Sequence, residues 1–192
     1  MRRADPRSRE IIEILADVVK RASDNCTLTV IDECGEPREI PCPDINYVFG
    51  NAQYVKERLD ELSRTPVGNE MKFPLIALWC PFNEQRNTVD YYTKAKVRML
   101  IAFSTMQQWS NEQRLQTSFQ NILRPIYRAF LEALQDDGRF DFGYDVPMHE
   151  YSENYSYGRY GALTSTGEQV SEPIDAIDIK NLELKVKQPN CR

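Results

Sequence analysis

One segment limits what this chain can fold into: a strand of clear two-residue period followed by a long amphipathic helix. Val97, Met99, Ile101 and Phe103 alternate with Lys96, Arg98, Leu100 and Ala102, the pattern of a strand with one face on a core. Ser110 then stands where an N-cap belongs and Gln113 follows three residues later, a capping box that satisfies two backbone N–H groups at the helix start. From Asn111 to Leu134 the residues Leu115, Phe119, Ile122, Leu123, Ile126, Phe130 and Leu134 recur at helical spacing, so one stripe must be buried. Pro125 lies inside the run. Its missing N–H and its crowding of the preceding turn predict a bend there and not a stop. With a further strand over Phe73 to Trp79, the segment predicts an α+β domain, an antiparallel or mixed sheet covered by a long helix.

The rest of the chain supplies smaller pieces. Asp5-Pro6 reads as the start of an N-terminal helix whose face of Ile11, Ile14, Leu15, Val18, Val19 and Ala22 is a packing face. Thr27 to Ile31 reads as a strand, Cys34 to Pro37 as a turn, and Arg38 to Ile40 as the return of a hairpin. Tyr47, Val48 and Phe49 form an apolar patch, and Asn51 caps a helix with Tyr54, Val55, Leu59 and Leu62 on one face. Thr65 to Asn69 reads as a loop. Two longer stretches lack a period and read as loop excursions, residues 81–94 and the tyrosine-rich 146–171. The closing strand runs from Ile174 to Lys187. Its apolar parity changes between Ile177/Ile179 and Leu182/Leu184, which predicts a bulge near Lys180-Asn181.

Composition narrows the function classes. A chain of 192 residues, 41% hydrophobic, has material for one core, so a single domain over 1–192 is expected. A formal charge of −5 argues against sequence-independent nucleic-acid binding, which needs a surplus of Lys and Arg on one face. No run approaches the roughly 18 apolar residues of a membrane span, so no membrane is expected and the chain reads as one that folds in a cytosol-like compartment. Cys26, Cys34, Cys42, Cys80 and Cys191 form no zinc-finger spacing, and an odd count in that setting reads as free thiols.

Catalytic signatures are missing from the sequence. It contains no Gly-x-x-x-x-Gly-Lys, Gly-x-Gly-x-x-Gly, Gly-x-Ser-x-Gly or His-Glu-x-x-His. Asp136, Asp137, Gly138 and Asp141 lack the alternation and terminal Glu of a calcium loop. His149 is the one histidine; as a general base it would need an orienting acid, with Glu150 or Glu153 in reach along the chain. The reading is no enzyme, no metal and no cofactor. The tyrosine-rich stretch has the composition of an adaptable contact surface and equally that of a loop folded back on its own domain.

Several blocks then carry a resemblance: Asn46-Tyr-Val-Phe-Gly-Asn-Ala-Gln-Tyr-Val-Lys-Glu-Arg-Leu-Asp60, Lys72-Phe-Pro-Leu-Ile-Ala-Leu78, Ile122-Leu-Arg-Pro-Ile-Tyr127 and Ile174-Asp-Ala-Ile-Asp-Ile-Lys-Asn-Leu-Glu-Leu184. In their order the chain resembles tail-terminator or tail-completion proteins of tailed phages of the crAss-like and other Bacteroidetes groups. The resemblance spans about residues 10 to 187 and implies a structural virion protein: a subunit of a homo-oligomeric ring, six- or twelve-fold, in the neck or tail. It implies neighbouring neck and tail rings and the portal as partners, DNA passing through the lumen without specific binding, and a virion location after assembly in the host cytoplasm. It carries over no catalytic residue. The expected contact residues are Phe82, Tyr91, Tyr92, Tyr151, Tyr155, Tyr157 and Tyr160 in the two excursions, and Leu182, Leu184 and Val186 on a strand bordering the neighbour. The alternative is a small cytosolic enzyme or ligand-binding α/β domain using His149 and the tyrosine-rich loop.

Overall fold

Two long strands form the spine of the molecule, β6 (Tyr92–Ser104) and β8 (Ile174–Lys187), paired antiparallel from Tyr92↔Lys187 to Ser104↔Ile174. The structure is a computed structural model that describes residues 10–31, 34–87, 92–143, 147–155 and 173–187. The start of the N-terminal helix expected at Asp5-Pro6 lies outside them. β4 (Leu75–Trp79) adds antiparallel to the other edge of β6, and β3 (Asn46–Gly50) lies parallel to β4. β7 (Glu150–Asn154) pairs antiparallel with β8, so the order is β3-β4-β6-β8-β7, and β5 (Glu84–Asn87) pairs with the first residues of β6. This is the expected α+β class with a mixed sheet, in a single compact domain.

One face of the sheet is covered as the periodicity requires. Helix α1 (Ile11–Asn25) buries Ile14, Leu15 and Val18. The long helix, made of α4 (Asn111–Arg114), a π stretch (Leu115–Leu123) and α5 (Arg124–Gln135), buries Phe119, Leu123, Ile126 and Phe130. They pack on Ile76, Leu78, Val97, Met99, Ile101, Ile177 and Ile179. Each of these buried side chains is worth about 1.5–3 kcal/mol relative to exposure. The hairpin of β1 (Thr27–Ile31) and β2 (Pro37–Pro41) closes over the same core.

The capping box at Ser110 and Gln113 is present on both sides. Pro125 does not stop the helix. The irregularity takes the form of the π stretch, in which the Arg124 N–H reaches back five residues to the Phe119 carbonyl and the turn that meets the proline ring is widened.

Among the described residues, the second face is only half covered. Helix α2 (Ala52–Leu62), capped by the Asn51 side chain, sets Val55 and Leu59 on Val48, Leu75, Ala77, Leu100, Ala102 and Ala176. β6 therefore alternates over its first half and is buried on both faces from Met99 to Ala102. Beyond α2, the outward side chains of β6 and β8 are charged.

The parity change in β8 is a bulge. Val97 faces Leu182 and Met99 faces Ile179, so β8 carries one extra residue there. Asn181 takes it up at φ 52°, a left-handed conformation that Asn tolerates better than most residues, and donates to Glu150 at 2.7 Å.

Four expectations need correction. Residues 66–70 form a short helix, α3 (Pro66–Glu70), because Thr65 caps the Gly68 N–H and Pro66 sits at its start. The excursion 81–94 is largely a hairpin, its first arm β5 held by backbone pairing to β6; an arm with no apolar face leaves no period in the sequence. The excursion 146–171 contains β7, for the same reason. The stretch Leu182 to Lys187 does not border open space. Its outer side receives Asp141 N–H at Lys185 O, donates from Lys187 N–H to Arg139 O and from Glu183 N–H to Met148 O, and Phe140 bridges Val186.

Candidate interaction surface

The uncovered half of the second sheet face is a trough of about 950 Å³. Its floor is built by the outward positions of paired strands, Lys94, Lys96 and Arg98 from β6 and Lys180, Glu183 and Lys185 from β8. Trp79 and Phe82, where the chain leaves β4, make one wall, and Phe142, Pro147 and Met148 the other. Met148 is 71% exposed.

The charges on this floor are organised. Arg98 makes a two-pronged bond to Asp178, at 2.9 and 2.7 Å, and its guanidinium lies 5.9 Å from the centre of the Trp79 ring. Asp178 is itself buried, so the arginine satisfies a carboxylate that water does not reach. Lys96 pairs with Glu183 at 2.6 Å across the strands. Lys185 bonds Asp141 at 2.9 Å and stands 3.8 Å from the centre of the Tyr92 ring, and this bond holds the Asp141 carboxyl below its usual range. Lys180 approaches Asp178 at 3.6 Å. Four cations thus meet three carboxylates, and with Lys94 beside them the surface is positive on a chain of formal charge −5. The Trp79 indole N–H faces no acceptor among the described residues.

A second polar cluster joins the long helix to β7. Arg124 forks onto Glu153 at 2.7 and 3.1 Å, and the Tyr151 hydroxyl donates to the same carboxylate. The Arg124 bonds hold the Glu153 carboxyl below its usual range against the opposing effect of burial. Tyr127 and Tyr151 rings lie 4.9 Å apart, and both phenols are pushed up by burial. The Tyr127 hydroxyl meets His149 Nε2 at 2.6 Å, and His149 Nδ1 meets the Pro147 carbonyl at 2.7 Å. A carbonyl only accepts, so Nδ1 carries a proton and donates to Pro147 O. The acids expected to orient His149 are elsewhere: Glu153 is held by Arg124 and Glu150 by Asn181. Gln120, Arg124, Tyr127, Arg128 and Tyr151 line a shallow recess of about 380 Å³ over this cluster.

The expected contact residues therefore separate. Phe82 lines the trough, and the Tyr92 ring lies against Lys185, which lines it too. Tyr151 belongs to the helix–β7 cluster, and Tyr155 folds its ring onto Phe119 at 4.5 Å. Leu182, Leu184 and Val186 are corrected outright: at 2% exposure or less they point into the core, because the bulge turns them to the helix side. Tyr91, Tyr157 and Tyr160 lie outside the described residues. The residues that the sequence reading passed over are Trp79, Arg98, Lys180 and Met148. The available signal was the row Lys94, Lys96, Arg98 matched by Lys185 and Lys187, two basic outward rows on strands that pair.

The sheet also ends in two borders. Among the described residues β3 is bonded only to β4 and β7 only to β8. Phe49 on β3 is 46% exposed and Tyr151 on β7 is 42% exposed.

Compared with known protein families and with curated proteins, the chain matches none. Among the described residues, no three His, Cys, Asp or Glu side chains gather as a metal ion would need, and no helix is long and apolar enough to cross a membrane.

Proposed function

We propose that the chain is a structural subunit of a ring in the neck or tail of a tailed phage, where copies join head to tail around the DNA channel. The observation that carries this reading is the pair of sheet borders, β3 and β7, at opposite sides of one sheet, each with a backbone row unbonded among the described residues and each with a half-exposed aromatic. Unlike edges on one subunit suit a heterologous contact, and a heterologous contact closes into a ring when its rotation divides the circle. The blocks that resemble tail-terminator proteins fall on the elements that build this sheet, β3, β4 and β8, and on the helices against it. In the ring, a chain of net charge −5 is expected to leave the lumen wall acidic and the basic trough facing protein, since an acidic wall does not hold phosphates.

Native mass spectrometry and negative-stain microscopy of the purified chain test the reading. Closed rings of one size, six- or twelve-fold, are the expected result, with the chain found at the neck or tail of purified particles. A chain that stays monomeric at high concentration and is missing from the particles overturns it.

One observation favours a second reading, a ligand-binding domain. The trough has the volume of a small-molecule site and carries aromatic walls with converging charges. On this reading an anionic aromatic compound raises the melting temperature of the wild type and not of an Arg98→Ala variant.

A further inference from the structure

Cys26 and Cys42 lie opposite one another at the base of the β1–β2 hairpin. The register pairs Thr27 with Pro41, so the next pair outward is Cys26 with Cys42, and the Cys42 N–H donates to the Cys26 carbonyl at 2.9 Å. Residues directly opposite in such a pair stand about 5.5 Å apart at Cα and project from the same face, inside the window a disulfide spans. Both side chains do share one environment, Cys26 buried in the core and Cys42 half-buried against it. Both are free thiols in this structure.

We propose that Cys26 and Cys42 are a redox-active thiol pair that closes to a disulfide under a peroxide oxidant. The Cys26 thiol donates to the Thr27 carbonyl at 3.9 Å, and Cys42 is the more exposed of the two. The thiolate of one cysteine attacks one oxygen of hydrogen peroxide, the O–O bond breaks, and the departing hydroxide leaves as water after taking a proton, giving a sulfenic acid. The sulfur of the other cysteine then attacks the first, the S–O bond breaks, and hydroxide leaves with the second thiol's proton as a second water. Two thiols lose two electrons and peroxide becomes two waters. The bond ties the end of α1 to the return arm of the hairpin at the point where both meet the core. It is independent of whether copies of the chain join in a ring.

The test is peroxide treatment of the folded, reduced protein, followed by unfolding, alkylation and peptide mapping without reductant. The expected result is a peptide joining Cys26 to Cys42, with alkylation of both falling to background while Cys34, at the far end of the hairpin, remains alkylated. In a Cys42→Ser or a Cys26→Ser variant the reaction stops at the sulfenic acid of the remaining cysteine, which dimedone traps. Recovery of Cys26 and Cys42 as free thiols under conditions that oxidise Cys34 overturns the proposal. So does a linkage through Cys34 or Cys80 in place of this pair.

Discussion

Arg114 and Asp175 are 4% and 0% exposed at their side chains and form an ion pair at 2.9 Å, with Arg114 also donating to the carbonyls of Trp109 and Met106. Removing one member leaves the other charged in a site that water does not reach, and that penalty exceeds the attraction lost. Arg114→Ala is expected to destabilise the protein by about 3–5 kcal/mol, and the double substitution Arg114→Met with Asp175→Leu by much less. Urea denaturation of the four members of the cycle measures it; a single substitution that costs no more than the double one would show that the pair is not buried as described. At Glu153 the sign with pH follows from the direction of its shift. The folded carboxyl lies below its ordinary value of 4.5 because Arg124 bonds the ionised form. Its contribution is therefore complete above about pH 4.5 and is lost as the pH falls through the folded value. A Glu153→Gln variant is expected to be less stable at neutral pH and to lose less on acidification, which denaturation at about pH 7 and about pH 3.5 compares directly.

The bulge in β8 shows what is legible at the scale of an element. Strand side chains alternate, so one extra residue is the only way for Ile177, Ile179, Leu182 and Leu184 to face the same core, and the sequence shows the parity break at the residue where Asn181 is found. Deleting Asn181 removes the extra residue and the parity break together, so Leu182, Leu184 and Val186 keep the core face in an unbroken alternation with Ile177 and Ile179. The expected outcome is a chain that still accumulates as soluble folded protein, read by fractionation and circular dichroism. A deletion that leaves the chain insoluble or unfolded would mean that Asn181 is not the extra residue. The helices were legible for the same reason, a stripe with a period and a cap with a donor to satisfy. β5 and β7 were not. Glu84 to Asn87 and Glu150 to Asn154 carry no apolar face, and their strand form comes from backbone groups offered by β6 and β8, which a reading of side chains does not register. The trough was hidden similarly: its residues come from strands far apart in the chain, and only the pairing of Lys96 with Glu183 and of Arg98 with Asp178 shows that two charged rows form one floor.

At the scale of the whole molecule the question is which surface joins copies. Among the described residues, helices cover one sheet face and α2 half of the other, which leaves the trough and the two borders of the sheet open to a partner. These differ in their physics. A trough of ion pairs weakens with salt because exposed charges are screened beyond about 8 Å at physiological ionic strength, whereas a border joint made of backbone bonds and aromatic area does not. Phe49 separates them, since it lies on the β3 border and away from the trough, and its ring contacts only Tyr47 among the described aromatic pairs. Phe49→Glu leaves the covered core of the subunit in place, so the variant's stability is expected to stay within roughly 0.5 kcal/mol of the parent. In an assembly joined through β3, the same change puts a carboxylate where an aromatic was buried, and sedimentation is expected to show subunits in place of rings at moderate and at high salt. Rings that form unchanged in the variant but dissolve in salt would move the joint from the border to the trough.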